Sequence, residues 1–390
     1  MPYASSLSEH PDPAIAVGET VGHLLDCLGP GPDLAVVFVT AQHVERFGDI
    51  VGTVEATLGP QNLIATTAVS VLAGSREAEQ MPAVSVWAGR TGGDVEAVRF
   101  SAQPDGLGRV AFDGLDVLET GPGEAPHTLL LLADPFTFPI DQAIDRIAEI
   151  APDLTVIGGL SSAAMAPGGN RLAVTRGAGF ATHQNGAVGL LLCGGATVST
   201  LVSQGCRPVG SPQIITRADG HQMVELAGKP AVERLQEMFE NLTAHDKQLV
   251  NQGLHIGRVV DEHKLDFDRG DFIIRAVMGA DRETGAITIG EPARVGSTVQ
   301  FQVRDALTAD EDLLELLGRI PRPADGALVF TCNGRGSHMF DTPDHDAAAV
   351  ADATTGQAVA GMFCAGEIGP IGGRAFVHGF TASVALFHDN

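Results

Sequence analysis

Apolar residues in this chain come in short continuous runs, each followed by a helical pattern and then a second run. Residues 34–39 (LAVVFV) are apolar throughout, which predicts a strand buried on both faces. A helix-compatible stretch over 43–58 stops at Gly59-Pro60. A β-branched run over 63–72 and a strand over 83–87 complete the unit. Upstream, the Pro-, Ser- and acid-rich start of the chain contains one short predicted helix, 15–28, ending at Gly29-Pro30.

The same order recurs twice. Residues 127–133 (HTLLLLA) form an apolar run, Ile140, Ile144 and Ile147 follow at helical spacing, and strands are predicted at 155–157 and 186–193. Near the C-terminus, 327–332, a helix-permissive segment, 359–364 and 380–387 repeat it. The spacing suits strand–helix–strand crossovers. The residues themselves do not repeat, so the duplication is one of pattern.

Between these regions the periodicity lapses at 205–213 (GCRPVGSPQ), a predicted boundary that gives domains at 30–205 and 206–390. After it come a hairpin around Ala218-Asp219-Gly220 and a helix opening at Pro230, with Val232, Leu235, Phe239 and Leu242 on one stripe. Strands follow at 254–260, 272–278 and 298–303. Thr308 and Glu311 are then read as a capping box for a helix closed by Gly318. The expected fold class is α+β, two related domains of mixed sheets with crossover helices. An αββα sandwich and a pair of open mixed sheets satisfy the order equally.

Composition narrows the function. The 390 residues carry a formal charge of −24, which argues against binding a phosphate backbone. The apolar runs fall short of the ~20 residues of a membrane span. No Lys or Arg precedes Arg46, as a signal peptide would require, so a cytoplasmic protein is expected. The five cysteines show no CxxC spacing, and there is no HExxH, so neither a disulfide framework nor a metal site is predicted. No cofactor is called for.

The chemistry concentrates at two predicted strand ends. Asn333, Gly334, Arg335 and Gly336 follow one strand; the flanking glycines can turn N–H groups toward a ligand while the guanidinium offers a fork to a carboxylate or phosphate. The GxxxxGK[ST] spacing is absent, and Asp341, Asp344 and Asp346 would repel a polyanion, so a single carboxylate suits the site better than a triphosphate. Gly366 and Glu367 end the other strand. Arg335 and Glu367 together would fit the carboxylate and ammonium of an amino acid. The alternatives are a tight turn with a tie-down arginine, and a salt bridge from Glu367 to Arg335 or Arg374. Cys332 or Cys364 with His338, His345 or His378 could make a nucleophile pair, although a strand-end thiol is ordinarily packing. Ser161 and Ser162 lack a GxSxG context.

Asn333-Gly-Arg-Gly, the run from Gly361 through Glu367 to Pro370, and His378-Gly-Phe-Thr381 resemble the C-terminal half of FIST proteins, the F-box and intracellular signal-transduction family. Residues 157–162 (IGGLSS) and the strand at 186–193 resemble its N-terminal domain. The likeness covers about residues 30 to 387. It implies a sensory module that binds a small ligand, with amino acids or related metabolites proposed, acting with a separate signalling partner. His378, in the third motif, joins the ligand-binding candidates, and no catalytic set is implied. A cysteine-dependent hydrolase or transferase and a protein-interaction scaffold are the competing readings.

Overall fold

The computed structural model describes residues 2–106, 109–118, 127–355 and 358–389. They divide into two compact units. The first comprises residues 1–202, 314–377 and 381–390, and the second 203–313 with 378–380.

The first unit opens with β1 (Tyr3–Ser8), α1 (Pro13–Leu28), β2 (Leu34–Thr40), α2 (Phe47–Leu58), β3 (Asn62–Ala68), β4 (Val71–Ala73), β5 (Arg76–Ala78) and β6 (Val84–Gly89). It continues through β7 (Asp94–Pro104), β8 (Val110–Asp113), β9 (Thr128–Ala133), α3 (Ile140–Ile150), β10 (Thr155–Leu160), β11 (Leu172–Arg176), β12 (Gly179–His183), β13 (Ala187–Cys193) and β14 (Thr197–Gln204). In the second unit lie β15 (Cys206–Pro208), β16 (Gln213–Asp219), β17 (Gln222–Leu226), β18 (Lys229–Pro230), α4 (Ala231–Glu240), α5 (Ala244–Gln252), β19 (Leu254–Val259), β20 (Phe272–Ala280), β21 (Ile287–Ile289) and β22 (Thr298–Arg304). After α6 (Ala306–Gly318) come β23 (Gly326–Cys332), α7 (His345–Asp352), β24 (Val359–Cys364), β25 (Glu367–Ile371), β26 (Arg374–His378) and β27 (Thr381–His388).

The three predicted crossovers are parallel pairs: β2 with β3, β9 with β10, and β23 with β24. All three belong to the first unit. Its sheets run β1-β6-β2-β3-β11-β12, β26-β25-β10-β9-β13-β7-β8, and β14-β27-β23-β24-β4-β5. Strand periodicity sets the layers. Along β2, Leu34, Val36 and Phe38 enter the core between sheets, while Ala35, Val37 and Val39 pack under α1 and α2. A strand covered on both faces has no polar face, hence the continuous apolar run. On the other side, Ile140, Ala143, Ile144 and Ile147 of α3 cover β9 and β10. The unit is therefore an α+β fold of mixed sheets, in which three sheets contribute to one shared core.

In the second unit, β16, β17, β21, β20, β19 and β22 pair in succession and β22 also pairs with β16, closing the sheet on itself. Val232 and Met238 of α4 pack on its core; Met238, not Phe239, takes the deeply buried place, and the Lys247 ammonium lies 5.6 Å from the Phe239 ring. Two local expectations differ. The run over 63–72 breaks into β3 and β4, which serve different sheets. Thr308 lies inside α6 and donates its N–H to Asp305 (3.4 Å), so Asp305 caps this helix in place of the predicted box. Among the described residues, no helix is long and apolar enough to cross a membrane.

Candidate functional site

The parallel ladder of β23 and β24 ends with Cys332 opposite Cys364 and is carried one step further by Asn333 N–H to the Cys364 carbonyl (3.0 Å). The chain then turns. Arg335 N–H donates to the Cys332 carbonyl (2.9 Å), and Gly336 follows in the left-handed region at φ 56°. A Cβ on Gly336 would stand 2.8 Å from both Glu79 and Phe363, so backbone conformation and space both require glycine.

This turn folds Arg335 inward, where it is fully buried. Its fork is occupied by Asp346, in the first turn of α7: Nε donates to Oδ2 and Nη2 to Oδ1, both at 2.7 Å. Thr331 Oγ1 donates to the same carboxylate (2.5 Å), and His345 Nδ1 lies 2.9 Å from it. His345 stacks on Phe340, whose ring centroid is 5.1 Å from the Arg335 guanidinium carbon. Burial disfavours the Arg335 charge, but Asp346 outweighs it and raises the guanidinium pKa further. Burial likewise acts against the Asp346 carboxylate, and Arg335, His345 and Thr331 hold it well below the usual carboxylate range. The aspartate that the sequence presents as a repelling neighbour is the arginine's partner.

Glu367 opens β25 opposite Gly159 of β10 and is also fully buried. Its Oε2 accepts from Thr381 twice, from N–H at 3.1 Å and from Oγ1 at 2.7 Å. Burial pushes its pKa to about 8, against the opposing pull of Thr381, Arg335 and the Cys332 thiol. The arginine considered as its ion-pair partner in β26, Arg374, bonds to Asp145 (2.8 Å). Arg335 Nη1, Asn333 Oδ1 and Glu367 Oε1 are buried with no N–H, O–H or acceptor partner among the described residues.

The remaining candidates are placed as follows. Gly334 N–H points at Cys332 Sγ (3.5 Å), and the Gly366 carbonyl accepts from Leu160 N–H (2.9 Å). His378 is buried at the end of β26 and belongs to the second unit. Ser162 Oγ donates to the Phe363 carbonyl (2.5 Å), and Ser161 Oγ lies 2.6 Å from Thr66 Oγ1, so both serines link strands. Sequence reasoning named Asp346 only as a repelling neighbour and Thr381 only as the end of a motif, and did not single out Glu77. Glu77 accepts from Ala347 N–H (3.0 Å) at the start of α7, and its pKa is raised to about 8 by burial and then by Asp346. The one available signal was Asp346 falling in the first turn of a helix.

A cavity of about 660 Å³ lies elsewhere in the first unit, along β1, walled by Ser5, Glu9, Glu19, His23 and Arg76. Its charged groups are engaged, Glu19 by Ser8 and Arg76 by Glu9 and Asp344. Buried polar atoms without a hydrogen-bond partner occur at several places among the described residues, Tyr3 Oη beside this cavity among them, and three of them gather at the β23–β24 corner.

Comparison with known proteins finds a FIST N domain over residues 33–229 and a FIST C domain over residues 231–370. An uncharacterized protein of Mycobacterium tuberculosis strain H37Rv is 42% identical over 98% of both chains. An uncharacterized protein of Mycobacterium bovis is 42% identical over 97% of both.

Proposed function

The chain belongs to the FIST family, and from that premise we propose that it is a cytoplasmic sensory protein binding a small amino-acid-like ligand at the ends of β23 and β24. FIST domains are associated with signal transduction and sensing. The observation that carries the finer reading is the set of buried polar atoms at one corner, Arg335 Nη1, Asn333 Oδ1 and Glu367 Oε1, for which no N–H or O–H donor and no oxygen or nitrogen acceptor is in place among the described residues. Each such group costs about 1–3 kcal/mol, and a ligand that completes them recovers that cost on binding.

The roles follow from what is already engaged. Asp346 fixes the Arg335 plane, leaving Nη1 to donate one hydrogen bond to a ligand carboxylate. Glu367, mostly neutral at pH 7, would release its proton to accept an ammonium, with Asn333 Oδ1 as a second acceptor. Backbone around Gly334, Gly336 and Gly366 shapes the corner. The proposed set is confined to the first unit. Five free cysteines suit a reducing compartment, and the charge of −24 disfavours nucleic acid as a partner. Signalling would pass through a separate protein partner.

A cysteine-dependent hydrolase or transferase finds less support. Burial, reinforced by Glu367 and Cys332, raises the Cys364 thiol well above its ordinary pKa, the opposite of an activated nucleophile. Thermal-shift screening tests the ligand reading, using α-amino acids beside analogues lacking the amine or the carboxylate. A ligand at 100-fold its Kd should add about 2.7 kcal/mol of stability. Loss of that gain in Glu367→Gln and Asn333→Ala is expected; equal gain in Glu367→Gln, or no stabilising amino acid, rejects the site.

A further inference from the structure

The same strand ends carry two thiols that the ligand reading leaves without a role. Cys332 and Cys364 are register partners in a parallel ladder. Register partners share a face of the sheet and stand at the inter-strand spacing of about 4.8 Å. That separation lies within the roughly 4.4–6.8 Å between Cα atoms that a disulfide spans. Both are free cysteines, Cys364 fully buried and Cys332 partly exposed.

Their surroundings differ in a way that gives each sulfur its own part. Cys332 Sγ faces the Gly334 N–H at 3.5 Å, and the Arg335 charge interacts favourably with a thiolate there. Cys364 Sγ rests over Gly159, where a Cβ would come within 2.3 Å, and donates to the Met362 carbonyl at 3.6 Å. The backbone is tied at this point by the Asn333–Cys364 hydrogen bond, which holds the two strand ends at the ladder spacing.

We propose that Cys332 and Cys364 form an oxidisable dithiol, in which Cys332 reacts first with a hydroperoxide and Cys364 resolves the product to a disulfide. In the first step Cys332 sulfur attacks a peroxide oxygen, the O–O bond breaks, and the Cys332 sulfenic acid forms as one water leaves. In the second, Cys364 sulfur attacks Cys332 sulfur, the S–S bond forms as the S–O bond breaks, and the hydroxyl departs with the Cys364 proton as a second water. The two thiols together lose two electrons and two protons, and hydrogen peroxide is reduced to two waters. Closure removes the Cys332 S–H that supports the Glu367 carboxylate. Coupling of redox state to ligand binding rests on the ligand reading; the dithiol itself does not.

The test treats the full chain, carrying Cys27→Ser to remove the exposed thiol, with hydrogen peroxide and reads intact mass and non-reducing peptide maps. The expected result is the loss of two hydrogens, reversed by dithiothreitol, with one cross-linked peptide pair joining positions 332 and 364. Cys364→Ser should stop at a sulfenic acid on Cys332 that dimedone traps, and Cys332→Ser should leave Cys364 reduced. A cross-link joining any other pair overturns the proposal. So does over-oxidation of Cys332 with Cys364 still a thiol, or native protein whose 332 and 364 thiols stay reduced. The decisive readout is on the two native thiols, so it does not depend on either partner variant folding, and it is separate from the amino-acid screen.

Discussion

Replacing Glu367 by glutamine should flatten part of the dependence of folding stability on pH. In the folded protein the carboxyl is fully buried and titrates at about 8, against 4.5 for the free group. The folded state therefore holds a proton that the unfolded chain has released between those two values. Stability is greatest below the unfolded pKa and is lost progressively as pH rises through about 8. At about 1.36 kcal/mol per pH unit, the full interval corresponds to an upper limit of about 5 kcal/mol, since relaxation and water entry reduce the burial cost. Glu77, also raised to about 8, adds a slope of the same sign, so the wild type should fall more steeply than Glu367→Gln but the variant should not become flat. Urea unfolding at intervals from pH 4.5 to 9 provides the comparison, with glutamine still able to accept the two Thr381 hydrogen bonds. Parallel curves for wild type and Glu367→Gln would refute the assignment of a buried, neutral carboxyl to this position.

Three further outcomes are expected. Arg335→Ala strands the Asp346 carboxylate and should cost about 3–5 kcal/mol in thermal or urea unfolding, while Arg335→Met with Asp346→Leu should recover most of it, because the pair's cost lies in breaking it one-sidedly. Gly159→Ala puts a methyl against Cys364 Sγ and should destabilise by about 1–3 kcal/mol, with partial rescue by Cys364→Ala. Ligand binding at pH 7 should release close to one proton from Glu367, seen by calorimetry as a heat of wild-type binding that varies with the ionisation enthalpy of the buffer.

The strands buried on both faces were legible because a continuous apolar run of strand length leaves no side that water can solvate, and both faces must then be covered. β2, β9, β13, β23 and β24 all fall on such runs, and the three crossovers follow from them. Less legible was β1, whose sequence YASSLS is half serine and lies at a sheet edge, where the pattern owes little to burial. The split of 63–72 between sheets was equally hidden, since Thr67 and Ser70 on either side of the break are as buried as the strands. At the site, the glycine-framed Arg335 and the strand-end Glu367 stood out by residue type and position. Their partners did not. Asp346 reaches Arg335 only because α7 docks its first turn over the end of β23, and Thr381 reaches Glu367 only because β27 begins beside β25. A formal charge of −24 offers many carboxylates, and sequence spacing does not say which one an inward-turned guanidinium will meet.

Native mass spectrometry of the purified chain with a panel of amino acids tests the central claim most directly. The predicted result is a one-to-one adduct with an α-amino acid that is lost in Glu367→Gln and absent with analogues missing either the amine or the carboxylate. Bare wild-type chain throughout the panel, or an adduct that Glu367→Gln retains undiminished, would contradict a zwitterion site at the ends of β23 and β24.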